Sequence, residues 1–461
     1  MKKLINSILG IRKVLFQNND SQTEHGMRLE RKRKILLTSL TGAFSKILAM
    51  TLPLLTIKIT YGYLGASTYG LWMALTSFFS LFQFADLGLG NGLKTKLSFS
   101  IGKNQYERSL SLISTTFYIL ITAAIVSALL FSLSYPIINW EKMIPNSNNG
   151  LINTLILSII LSRIISIPLS IVERTQNAFQ EGYKTNIWIS FSYIVTLLSM
   201  YSIMYFDLGK NVMIWTATMI TVVISLLNLI WYFRFEKRDY APKFSRISLS
   251  ISKEILSTGI LFLILSILTT IGLALDNFII AKIAPLEEVA TYSILFKVTF
   301  MISSVTTMLS APLWSANGDA LAKRDYLWIE NNTKKMSKIL LLISSFGSTL
   351  LVISSKFVFD LWLGNEFVFS YNLLIPMCIL QILLSFITSY FMMFNALGLI
   401  KIQIVIFLIY TPVSIFLKYY LGGLWGVEAV AWTGVICYVF LIIIPVVYIF
   451  NEKIQKLKGG I

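Results

Sequence analysis

The chain has 461 residues, 56% hydrophobic and 13% charged, with a mean hydropathy of +0.72. Soluble chains carry about 25% charged residues, and a soluble core cannot enclose this much apolar surface, so a bilayer is the implied solvent. The formal charge of +17 would suggest nucleic acid in a soluble protein, but in a membrane protein it points first to cytoplasmic loops. Two cysteines (Cys378, Cys437) and one histidine (His25) leave no disulfide framework and no histidine metal site, and no P-loop run occurs. No cofactor or metal is expected.

Residues 1–34 form a basic N-terminal segment. Leu4, Ile5, Ile8, Ile11 and Leu15 share one helical face, with Lys2, Lys3, Arg12 and Lys13 near the other. That pattern fits an interfacial helix on an anionic leaflet, or a basic tail that only sets topology. Twelve apolar runs long enough to span hydrocarbon follow: roughly 35–59, 68–90, 109–134, 150–172, 185–206, 211–233, 255–280, 289–314, 338–360, 371–395, 402–420 and 427–450. The runs are continuous rather than alternating, so they read as helices. The expected architecture is all-α and membrane-integral. It has an N-terminal six-helix bundle (35–233), a basic linker (234–254), a C-terminal six-helix bundle (255–450) and a tail (451–461), with a central cleft between the bundles.

Basic residues set the orientation. With the N-terminus in the cytoplasm, 30 of the 39 Lys and Arg fall in inner segments and five in outer ones: Lys142, Lys210, Lys282, Lys356 and Lys418. Both termini are therefore expected to be cytoplasmic. All outer loops are short, which leaves no room for an external enzymatic domain.

The halves repeat weakly. Thr68-Tyr69 pairs with Thr291-Tyr292, Lys103-Asn104-Gln105-Tyr106 with Lys323-Arg324-Asp325-Tyr326, and Asn177-Ala178 with Asn395-Ala396, at offsets drifting from 223 to 218. Such parallel repeats around a cleft are the plan of an alternating-access carrier.

An ionisable residue inside a span costs about 2.5–3.5 kcal/mol on insertion scales and usually faces protein or water. Lys46 is expected about eleven residues into the first span, near mid-depth, where it would line the cleft and attract an anion or else pair with a carboxylate. Arg163, in the fourth span and nearer the cytoplasmic side, could grip phosphate. Asp276 and Lys297, at similar depth on adjacent helices, could pair as a gate or an ion-coupling element, or simply fix packing. Asp86 is expected to fix a cytoplasmic turn. The spans of the first half show cations and no carboxylate near mid-depth, which favours an anionic or phosphate-bearing cargo.

Two stretches carry a family likeness. Tyr63-Leu-Gly65-Ala-Ser-Thr-Tyr69-Gly70-Leu-Trp72 is followed by Phe84-Ala-Asp86-Leu-Gly88-Leu-Gly90-Asn91-Gly92, and Asp276-Asn277 by Val289-Ala-Thr291-Tyr292. The chain resembles bacterial O-antigen flippases, the polysaccharide transporter branch of the MATE-like flippase superfamily. In the second half the counterpart of the glycine-rich motif reads Pro312-Leu-Trp-Ser-Ala-Asn317-Gly318, so the halves have diverged.

The resemblance implies a non-enzymatic carrier in the bacterial cytoplasmic (inner) membrane. Its cargo would be a polyprenyl-diphosphate-linked oligosaccharide, moved between leaflets among membrane lipids, with a glycan polymerase and chain-length machinery as further partners. Gly65, Tyr69, Gly70, Asp86, Gly88, Gly90, Asn91, Asp276 and Tyr292 match the family pattern, the glycines serving tight turns and close helix approach. A cation-coupled multidrug exporter and a peptidoglycan-precursor flippase are the alternative readings.

Overall fold

The computed structural model describes residues 24–80, 89–138, 140, 149–310, 313–364 and 367–459. The N-terminal amphipathic pattern at 4–15, Lys142, Asp86 and Gly88 lie outside these residues. Every regular element among the described residues is helical. Among the described residues, eleven helices are long and apolar enough to cross a membrane. The remaining expected span, 68–90, coincides with a short helix, α2 (Ala66–Phe78), and runs on into residues that are not described. The protein is an all-α, multi-pass membrane protein.

The chain divides into two compact units that interleave in sequence. The first comprises Met1–Ile59, Ala85–Ile137 and Ile160–Ile260; the second comprises Thr60–Phe84, Ile138–Ile159 and Leu261–Ile461.

The first unit contains most of α1 (Glu24–Leu64), α3 (Leu89–Gly102), α4 (Tyr106–Ser134), much of α5 (Asn149–Ala178), α6 (Gly182–Tyr205) and α7 (Lys210–Trp231). Buried amides and hydroxyls tie it together, as expected where hydrocarbon offers no hydrophobic drive between helices. The Gln176 amide donates to Asn228 Oδ1 at 2.8 Å and accepts from the Thr185 hydroxyl at 2.8 Å. Asn186 donates to the Thr38 carbonyl and the Thr41 hydroxyl, each at 3.2 Å. The linker is ordered. After a π turn (Tyr232–Glu236) and two short 3₁₀ turns, it lies along α4. Ser114 and Thr115 hydroxyls accept from the backbone N–H groups of Lys243 and Ser248, both at 3.0 Å.

The second unit holds α2, α8 (Leu249–Ala274, from Leu261 onward), α9 (Asp276–Ile283), α10 (Leu286–Ser310) and α11 (Leu313–Ala322). It continues with α12 (Tyr326–Leu363), α13 (Tyr371–Ala396), α14 (Ile400–Trp425), α15 (Val427–Tyr438) and α16 (Ile444–Gly459). Thr333, Ser337, Leu340, Ser344, Ser348 and Ser355 form a buried face of α12 at helical spacing. Against it the Ser337 hydroxyl donates to the Phe386 carbonyl at 2.7 Å, and Ser389 donates to the Thr333 carbonyl at 3.2 Å. The expected seventh span is not continuous: α8 ends at Ala274 and α9 begins at Asp276. The Ser77 hydroxyl of α2 donates to the carbonyl left open at Ala274.

The backbone itself repeats. Asn104 and Arg324, 220 residues apart, both adopt the left-handed region, with φ of 54° and 59°. Gln180 and Gly398 do so 218 apart, and Gly209 and Gly426 do so 217 apart. The hydrogen bonds match: Gln105 N–H to Ser100 and Asp325 N–H to Ala320, then Glu181 N–H to Gln176 and Leu399 N–H to Phe394. These are the helix-closing turns whose residues repeat in the sequence.

Two motif glycines have physical reasons. Gly65 has φ +83°, which other residues rarely adopt. At Gly70 a Cβ would stand 1.8 Å from the Leu286 carbonyl oxygen, so α2 meets α10 backbone to backbone. Gly62 has nothing within 4 Å of that position. Gly70→Ala should therefore destabilise the protein by about 3 kcal/mol, the upper range for overpacking, while Gly62→Ala should be neutral or slightly stabilising. Thermal unfolding of both variants in detergent checks this, and equal midpoints would refute the close approach.

Candidate functional site

The break between α8 and α9 exposes polar backbone inside a membrane protein and sets an acid at the start of the following helix. Asp276 is 5% exposed. Its Oδ1 accepts from Lys418 Nζ at 2.6 Å, and its Oδ2 accepts from the Tyr292 hydroxyl at 2.6 Å. The Lys418 side chain is 1% exposed, packed along α14 with its Cε 3.3 Å from where a Gly434 Cβ would sit. Both charges are removed from solvent, and the pair neutralises itself.

Two expectations change here. Lys418, counted as an outer-segment lysine, lies inside α14, which runs past the expected end at 420 to Trp425. Asp276 is paired with Lys418 and not with Lys297.

Lys297 sits on α10, half-buried. Its Nζ donates to the Tyr69 hydroxyl at 2.8 Å, lies 5.2 Å from the centroid of that ring, and is 3.1 Å from Met73 Sδ. Tyr69 is held edge-on by Tyr61 and Trp72, with centroids at 5.8 and 6.4 Å. The motif residues Tyr69 and Tyr292 thus attend two different charges, Lys297 and Asp276.

In the first unit, Lys46 is exposed on α1 between the exposed Phe44 and Ile47. Arg163 is half-buried at the middle of α5. No hydrogen bond or ion pair reaches Lys46 or Arg163 from the described residues. Gly90 and Asn91 fall in the first turn of α3.

The pairing of Lys418 and the place of Glu173 escaped the sequence reading. Glu173, assigned to a loop, lies inside α5 and lines a cavity of about 380 Å³ with Tyr193, Thr221 and Asn228. The first half therefore does hold a carboxylate within a span.

The Asp276–Lys418 pair makes a sharp expectation. Lys418→Met strands a buried carboxylate and should cost about 3–5 kcal/mol, while the double variant Asp276→Leu, Lys418→Met should recover most of that loss. Thermal unfolding in detergent reads both, and a double variant no more stable than the single one would disprove the coupling.

The family model for polysaccharide biosynthesis proteins matches residues 35–314. A Salmonella typhi protein named for O-antigen transport is 23% identical over 342 residues, covering 73% of this chain and 75% of that protein. A Yersinia pseudotuberculosis protein named for O-antigen export is 21% identical over 373 residues, covering 77% and 82%. Among solved structures, a multidrug resistance MATE family transporter of the MOP superfamily in its inward-facing conformation superposes with a TM-score of 0.76 at 16% identity, covering 89% of this chain and 96% of that one. That likeness establishes the fold, and with a family match spanning well over half its length the chain belongs to the polysaccharide biosynthesis protein family, built on the fold of the MATE transporters.

Proposed function

We propose that this protein is a flippase that carries polyprenyl-diphosphate-linked oligosaccharide repeat units, of the O-antigen or capsule type, across the bacterial cytoplasmic membrane by alternating access, with no chemical step of its own. The relatives named for O-antigen transport and export support the cargo class. The observation that carries the reading is the contrast in charge. The buried acid Asp276 is neutralised by Lys418, whereas Lys46 and Arg163 have no partner among the described residues. A cation held near hydrocarbon without a counter-ion is costly unless an anion or water meets it. A diphosphate offers that charge, and Arg163 can hold it with two parallel hydrogen bonds.

Lys46 and Arg163 are assigned to the diphosphate. Asp276 and Lys297 are assigned to gating, because they join α9 and α10 to α14 and α2 through contacts a conformational change would have to break. Transport would draw on an ion or substrate gradient. With Lys418 placed in a span, 30 basic residues fall in inner segments against four in outer ones, which supports both termini being cytoplasmic.

The test is made in a host lacking the protein and complemented at matched membrane levels. Lys46→Glu and Arg163→Glu should each cut surface glycan at least tenfold and leave lipid-linked repeat units on the cytoplasmic leaflet, while Lys46→Arg should keep most activity. Wild-type glycan in the Lys46→Glu, Arg163→Glu double variant would remove both residues from the site. A knockout without accumulated lipid-linked units would end the flippase reading.

A further inference from the structure

The linker does more than connect two halves of the sequence. It is fastened along α4 at several points. The Tyr106 hydroxyl donates to the Asp239 carbonyl at 2.8 Å, and its ring meets Tyr240 edge-on at 5.1 Å. Arg246 pairs with Glu107, and the Phe244 ring stands edge-on to Tyr118 at 5.3 Å. With the two backbone bonds to Ser114 and Thr115, these contacts hold Phe244 and Ile247 out from α4 as a roof. Burial against Tyr106 and Asp239 pushes the Tyr240 phenol above its ordinary value, so it stays a neutral part of the strap.

Under that roof is an apolar groove of about 550 Å³, lined by Thr115, Tyr118, Thr122 and Ser127 on α4 and by Phe244 and Ile247 on the linker. From Thr115 to Ser127 the helix rises about 18 Å at 1.5 Å per residue, close to one leaflet of a hydrocarbon core roughly 30 Å thick. At roughly 30 Å³ per water-sized group, the groove takes one acyl chain; a polyprenyl tail is several times longer.

Its mouth carries exposed basic residues beside one acid, Glu107. Lys243 is exposed and has no ion-pair partner among the described residues. Arg246 is 44% exposed in a solvated pair with Glu107, a weak interaction that leaves most of its N–H donors free. Phe244 and Leu249, 75% and 81% exposed, flank the same strap. An apolar slot one leaflet deep with lysine and arginine at its rim has the chemistry of a phospholipid with a negative headgroup.

We propose that the linker and α4 form a binding site for one anionic phospholipid, its acyl chain lying in the groove and its phosphate held by Lys243 and Arg246. The site is distinct from the residues assigned to cargo, so it does not depend on what the protein transports. Bound lipid would hold the strap against α4.

Native mass spectrometry of the purified full-length protein tests this, with phosphatidylglycerol and phosphatidylcholine of equal chain length as probes. Wild type should retain phosphatidylglycerol about tenfold over phosphatidylcholine, given two basic residues near the surface. Lys243→Gln with Arg246→Gln should abolish that preference. Ala123→Phe, which fills the groove and leaves the charges in place, should reduce retention of both lipids. Equal retention of the two lipids by wild type would overturn the proposal. So would a preference untouched by either variant, or displacement of phosphatidylglycerol by stoichiometric undecaprenyl phosphate, which would give the groove to a polyprenyl chain. None of these readings uses transport, so the flippase assignment stands or falls separately.

Discussion

A carboxylate removed from water inside a bilayer must find a positive charge or a proton. In this protein Asp276 finds Lys418, 142 residues later. Much of the second unit is arranged around that requirement. Tyr292 supplies the second hydrogen bond to the carboxylate, Gly434 leaves room for the lysine stem, and Ser77 covers the carbonyl opened by the helix break just before the acid. The pair joins the consecutive helices α9 and α10 to the distant α14, and α2 meets the neighbouring helix break through Ser77. Its net worth over an apolar isostere is small or negative in general. Its value here is specificity, because this packing leaves both charges satisfied.

That neutralised pair gives the remaining cations their meaning. Lys297 rests on the hydroxyl and ring of Tyr69, a contact that tolerates a positive charge without cancelling it. Lys46 and Arg163 receive no anion from the described residues. Helix-to-helix cohesion is provided elsewhere, by neutral groups: the serine face of α12, the Gln176–Asn228–Thr185 cluster and the backbone contact at Gly70. A chain that needed these cations for packing would have given them carboxylates. Charge that packing does not use is available for cargo.

Features that depend on local chemistry were legible in the sequence. Continuous apolar runs announce helices, because only a helix satisfies its own backbone in lipid, and ten of the eleven apolar spans start or end within a few residues of an expected run. Paired loop residues anticipated the left-handed turns at Asn104 and Arg324, because those turns are made by short-range bonds. Gly65 and Gly70 were suspected for the right reasons. What failed depended on side-chain direction. Asp276 and Lys297 are near in sequence and were expected at similar depth, but Asp276 faces α14 while Lys297 faces α2, and depth alone carries no azimuth. The break at Leu275 has no proline to announce it, and its nearest glycine, Gly272, lies inside α8, while Glu173 looked like loop because its helix outlasts its apolar run.

The linker shows the same limit from the other direction. Its basic, polar composition reads as a free loop between two bundles, and its charges were spent on the topology argument. Ser114 and Thr115, whose hydroxyls anchor it, look in sequence like ordinary small polar residues in an apolar helix. Only the fold brings the two together, and then the hydroxyls cap backbone N–H groups that would otherwise lie unsatisfied beside α4. In the proposed lipid site the exposed phenylalanine and leucine of the strap would meet acyl chains, and its lysine and arginine would meet a headgroup phosphate. The same basic residues would then serve twice, in the charge bias that sets topology and in the choice of the lipid held against α4.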